Sequence, residues 1–100
     1  MIIYNVTSSV DKSISEDWIT WMKTLHIPEL IKTGLFVEYR MLKVLNHDDD
    51  HSYSFAVQYF AKSMNDIDEY VKKYAPALRD DVQKRYGDKV VSYRTLLEEV

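Results

Sequence analysis

The chain has 100 residues, 46% of them hydrophobic and 29% charged, with two glycines, two prolines and no cysteine; 13 basic against 16 acidic residues give a formal charge of −3. This composition suits one folded domain over residues 1–100, and it excludes disulfide scaffolds, thiolate metal sites and a disordered chain short of apolar surface. Gly34 and Gly87 stand alone, so there is no glycine-cradled phosphate loop, and the acidic balance argues against nucleic acid and anionic membranes as general partners.

Residues 1–10 are rich in Ile, Val, Tyr and Thr, and alternation sets Ile2, Tyr4 and Val6 on one side of a strand. This opening lacks the basic region, long apolar stretch and small-residue cleavage site of a signal peptide, and no apolar run reaches membrane-spanning length, which places the protein in the cytoplasm. Ser13 and Glu16 stand at capping-box spacing, so a helix is expected to start there. Its apolar stripe is Ile14, Trp18, Trp21, Met22 and Leu25. At 100° per residue Ile27, Leu30 and Ile31 fall off that stripe, and Pro28 disfavours helical geometry at Ile27. The helix is therefore predicted to end or bend near His26, followed by a reoriented turn over residues 28–33 and a stop at Gly34.

Residues 35–45 read as a strand with apolar side chains on both faces, residues 46–51 as a solvated connection, and residues 52–61 as a clearly alternating strand. On the latter, Tyr53, Phe55, Val57 and Tyr59 share one face, and Ser54, Ala56, Gln58 and Phe60 share the other. The two strands are expected to form an antiparallel hairpin. Ser63 caps a second helix whose stripe of Ile67, Tyr70, Val71, Tyr74, Leu78 and Val82 runs in phase through a kink at Pro76. Gly87 ends it, and residues 89–97 form the last strand. The order is strand, helix, strand, strand, helix, strand: an α+β, ferredoxin-like βαββαβ chain with two helices on one face of a four-stranded antiparallel sheet. Large apolar residues on both sheet faces would leave a patch too big for a monomer, so a homodimer through the open sheet face is expected.

Four segments carry a family resemblance: Met1-Ile2-Ile3-Tyr4-Asn5-Val6-Thr7; Trp18-Ile19-Thr20-Trp21-Met22-Lys23 leading to His26-Ile27-Pro28-Glu29; Ser54-Phe55-Ala56-Val57-Gln58-Tyr59-Phe60; and Arg85-Tyr86-Gly87-Asp88-Lys89. With them the chain resembles a small bacterial domain-of-unknown-function family, number 4286, and through it the dimeric α+β barrel group of ferredoxin-like proteins. That group includes small monooxygenases, isomerases, decarboxylases and ligand-binding domains. The resemblance implies a fold and a dimer; it assigns no reaction. It also implies a pocket between helices and sheet, because relatives in the group often place a histidine before a proline in this helix.

His26 is the leading catalytic candidate, as a general base or ligand contact, with Glu29 close enough in sequence to orient it. A purely structural reading has His26 satisfying a loosened helix end. Trp18, Trp21, Tyr39, Tyr59 and Tyr93 together with His26 could line an aromatic ligand-binding pocket; aromatics at helical or strand spacing more often serve a core. His47, Asp48, Asp49, Asp50 and His51 include metal-ligating types, but a run within one connection makes a solvated turn rather than a converging site, so no metal and no cofactor is assigned. The functional expectation is a small-ligand-binding or interaction protein with a pocket near His26. The alternatives are a cofactor-independent monooxygenase- or isomerase-like enzyme, and a single-strand nucleic-acid binder using Tyr4 and Phe55 as stacking platforms.

Overall fold

Alternating branched and aromatic residues build four strands, β1 (Ile2–Asp11), β2 (Glu38–Val44), β3 (Ser52–Ala61) and β4 (Val90–Glu98), in a computed structural model that describes residues 1–100. They form one antiparallel sheet in the order β2-β3-β1-β4. Tyr4 stands opposite Tyr59 and Leu96, and Val6 opposite Val57 and Arg94, so period-2 alternation assigns every strand residue to a face. Tyr4, Ser8, Val10, Phe55, Val57 and Tyr59 lie on the face covered by helices and are all buried. This is the ferredoxin-like fold expected from the element order.

The first helical region starts differently from the expectation. Asp11, not Ser13, supplies the cap: its Oδ1 accepts from the Ser13 amide at 2.8 Å and from the Ser13 hydroxyl at 2.6 Å. A 3-10 turn, Lys12–Ile14, follows before α1 (Ser15–Trp21) begins. Nor does the helix end at His26. It passes through a π-helical turn, Met22–His26, into α2 (Ile27–Lys32), with the Ile27 amide donating to the Met22 carbonyl five residues back. The extra residue in that turn sets the apolar phase back by about one residue's rotation, 100°. Ile27 and Leu30, off the stripe of a straight helix, are thereby returned to the core and fully buried. Pro28 falls at the start of α2, where its missing donor costs least. Gly34 (φ +78°) then closes the segment, its amide bonded to the Ile31 carbonyl.

The β2–β3 hairpin forms as expected, with Glu38 opposite Phe60 and Val44 opposite Ser54. Strand β2 starts three residues later than the sequence suggested, because Phe36 leaves the strand path to enter the core against Tyr59 and Tyr70. Asp49 organises the preceding connection, its carboxylate accepting from the His51 and Ser52 amides at 2.7 Å. Ser63 caps α3 (Met64–Lys73) through the Asp66 amide. The kink at Pro76 is realised as a break at Tyr74, after which α4 (Ala75–Tyr86) runs to Gly87 (φ +58°). Because of that break, Val71 and Tyr74 of the expected stripe turn outward, while Ile67, Tyr70, Ala75 and Leu78 hold the core. No helix is long and apolar enough to cross a membrane.

The helix-covered core is an aromatic cluster. Tyr4, Phe36, Tyr59 and Tyr70 meet with ring centroids 5.0–6.4 Å apart, and Trp18 lies 5.1 Å from Phe55. Each large side chain buried this way contributes about 1.5–3 kcal/mol of transfer free energy. The opposite face carries Ile3, Thr7, Gln58, Leu42, Val91 and Tyr93, of which Leu42, Val91 and Tyr93 are exposed.

Candidate functional site

Tyrosine shapes the interior. A phenol is too polar to bury without space for its hydroxyl or a partner to bond it, and three phenols, of Tyr4, Tyr59 and Tyr70, point into the region where the helices diverge from the β1–β4 side of the sheet. There a cavity of about 560 Å³ opens. Its floor includes Val6, Ser8, Val57 and Ser92; α1 and the π-helical turn contribute Trp18, Met22 and His26, and α4 contributes Leu78, Arg79 and Val82. Ser8 and Ser92 share a hydroxyl–hydroxyl hydrogen bond of 2.7 Å across β1 and β4. Arg79 Nη2 donates to the Tyr4 hydroxyl at 3.0 Å. Burial pushes the Tyr59 and Tyr70 phenols far above the usual tyrosine range, the more so because the phenols crowd one another.

The π-helical turn aims His26 at this cavity. Only 8% of the residue is exposed, and its ring stacks on Trp21 at 5.0 Å and 27°. Burial is the main reason that its pKa falls to about 4; Asp81 opposes the shift and Arg94 adds to it. The imidazole is thus neutral near pH 7. Its Nδ1 is buried without any hydrogen-bond partner, the one buried side-chain nitrogen or oxygen so placed. Trp21 is held from behind by the edge of Tyr86, 5.6 Å away. The Tyr86 hydroxyl donates to Asp17 Oδ2 at 2.7 Å and accepts from Arg85 Nε at 3.0 Å. The Tyr86 hydroxyl first, and Arg85 after it, hold the Asp17 carboxyl below the usual carboxylate range.

Of the residues singled out from sequence, Trp18, His26 and Tyr59 line the cavity. Trp21 lies behind His26 as its stacking partner. Glu29 does not orient His26: it lines a separate shallow depression with Lys32, Lys73 and Tyr74. Tyr39, opposite Tyr59 on edge strand β2, is half exposed outside the cavity, and Tyr93 stands on the uncovered sheet face. Sequence reasoning missed Tyr4, Tyr70, Arg79 and Arg94, which arrive from four separate elements. One signal was readable: Arg94 shares the parity of buried Val90, which puts a cation on the inward-facing side of β4.

The model for the family described as domain of unknown function (DUF4286) matches residues 1–100. The chain belongs to this family. No curated protein matches the sequence. Among solved structures, this DUF4286 chain is similar to a candidate antibiotic biosynthesis monooxygenase from Deinococcus radiodurans, with a TM-score of 0.71, 14% identity and coverage of 100% of this chain and 93% of that one. It is also similar to an ethyl tert-butyl ether D (EthD) family protein from Bacillus halodurans, with a TM-score of 0.68 and 12% identity over 100% of both chains. A dimeric ferredoxin-like protein from an uncultured marine organism gives a TM-score of 0.63 and 10% identity over 100% of this chain and 93% of that one. At these identities the likeness establishes the fold.

Proposed function

We propose that the protein binds a small molecule in the cavity beside His26 and works as a homodimer joined through its open sheet faces. The observation that carries the reading is His26 itself: a buried neutral imidazole, unpartnered at Nδ1, on the wall of a cavity large enough for a metabolite. Leaving a buried polar atom unpaired costs about 1–3 kcal/mol; Nδ1 is sealed off, so the ring nitrogen that a cavity ligand would meet is Nε2. The volume of about 560 Å³ falls in the ordinary range for ligand sites. For the dimer, support comes from exposed Leu42, Val91 and Tyr93 on the uncovered face and from the dimeric ferredoxin-like neighbour. Native mass spectrometry of freshly purified protein, with a crystal structure beside it, tests the binding reading. A retained small molecule next to His26 is the expected result; a bare chain with only water in the cavity overturns it.

A second reading, a cofactor-independent enzyme with monooxygenase- or isomerase-like chemistry, draws on the candidate monooxygenases among the structural neighbours and on an imidazole that is unprotonated near pH 7. It ranks lower because no tyrosine, arginine or carboxylate hydrogen-bonds the His26 ring, so no proton relay is in place. Nucleic-acid binding loses its stacking platforms, since Tyr4 and Phe55 are buried beneath the helices.

A further inference from the structure

Charge narrows what the cavity would hold, a step that rests on the ligand-binding reading above. The chain is acidic overall, yet two guanidinium groups, Arg79 and Arg94, line this one cavity. Neither forms an ion pair. The nearby carboxylates are Asp80, Asp81 and Asp88, and none comes within pairing distance of either arginine; Asp80 is engaged by Lys84 at 2.9 Å. Arg79 gives one donor to Tyr4 and keeps the others free. Arg94 projects from the helix-covered face of β4, opposite Val6, close enough to influence His26, Tyr59 and Tyr70 together.

A guanidinium does not lose its proton in a protein and the buried phenols stay neutral, so both cations remain charged, and neither is ion-paired with Asp80 or Asp88 of the cavity wall. Below them Val6 and Val82 offer partly exposed apolar surface, with Trp18, Met22, Leu30 and Val57 buried beneath it. We infer that the cavity takes a small organic anion, with a carboxylate held by Arg94 and Arg79, an apolar body against Val6 and Val82, and a hydroxyl group meeting the ring of His26. Guanidinium suits a carboxylate through its paired, planar donors, and charge-assisted bonds of this kind are about twice as strong as neutral ones.

Fluorescence titration with 6-hydroxy-2-naphthoate, its methyl ester and 2-naphthol tests this directly. The acid should bind saturably and about ten-fold or more tighter than the ester, the difference expected when a charge-assisted pair is lost. Arg79→Gln combined with Arg94→Gln should reduce affinity for the acid to that for the ester while leaving the ester unchanged, and Arg94→Gln alone should narrow the difference. Arg79 and Arg94 are exposed at the cavity rim, so these variants should fold normally, with an unaltered far-ultraviolet circular dichroism spectrum as the check. Lys32→Gln, which removes a surface cation outside the cavity, should change neither. Equal binding of acid and ester by the wild type, or a doubly substituted protein that still prefers the acid, overturns the anion assignment and leaves the ligand-binding reading standing. If acid, ester and naphthol all fail to bind, both fall.

Discussion

His26 concentrates the chemistry of this chain because three independent features of its surroundings act on one ring. The π-helical turn directs it inward, Trp21 covers one face, and burial disfavours its charged form. A folded-state pKa of about 4 lies below the unfolded value near 6.5, so between those limits the unfolded chain binds the extra proton. Stability contributed by the neutral ring is therefore complete above about pH 6.5 and is lost as pH falls toward 4, by about 3 kcal/mol in total. Urea denaturation at pH 7 and pH 4.5 should show this loss in the wild type, and His26→Phe should abolish most of it. Equal slopes for the two proteins across that window would show that His26 is not the buried neutral group described. The Asp81 and Arg94 charges act in opposite senses on the ring, which leaves burial as the dominant cause.

At the scale of the element, the π-helical turn is the feature that positions the site, and also the one least legible beforehand. Strand β3 was readable because Tyr53, Phe55, Val57 and Tyr59 alternate without interruption, and that alternation maps onto the buried face. The first helix misled because a fixed 100° step cannot represent one extra residue: Leu30 lands off the stripe unless the phase is reset between Met22 and His26. Pro28 was visible as a disturbance, but a proline marks a helix end, a kink or a π-helical turn equally well. The cavity residues were harder still, since Tyr4, Tyr70, Arg79 and Arg94 share no local spacing. The reset phase makes a clear distinction between neighbours five residues apart. Leu30→Ala should destabilise by about 2–5 kcal/mol, as a buried truncation does. Leu25→Ala, at a position 48% exposed, should change stability by less than about 0.5 kcal/mol. Chemical denaturation of both variants reads the contrast, and similar losses would favour the uninterrupted stripe in which Leu25 faces the core.

The whole molecule presents a sheet with one face filled and one face open, and the two faces display different side chains. Helices cover Tyr4, Val57, Tyr59 and Phe55, and the cavity lies on that side; the other side displays Leu42, Val91 and Tyr93 to the surroundings. Val91 and Tyr93 are 63% and 64% exposed, next to each other on one face of edge strand β4. The molecule measures 39 × 30 × 19 Å, so its broad side can supply the roughly 800 Å² per partner of a standard interface. Glu38 and Arg40 on β2, with the Arg40 guanidinium over the Phe60 ring, would give the proposed twofold contact a polar rim. Sedimentation at micromolar concentration should give twice the chain mass. Leu42→Lys with Tyr93→Lys should give a monomer with an unchanged circular dichroism spectrum, because neither side chain contributes to the buried core or lines the cavity. Since the cavity opens on the opposite side of the sheet, that monomer should still bind 6-hydroxy-2-naphthoate within about three-fold of the wild-type affinity, as mutations at distant, independent sites add rather than couple. A wild type that sediments as a monomer would remove the dimer, and loss of probe binding in the lysine variant would mean that the partner chain completes the site.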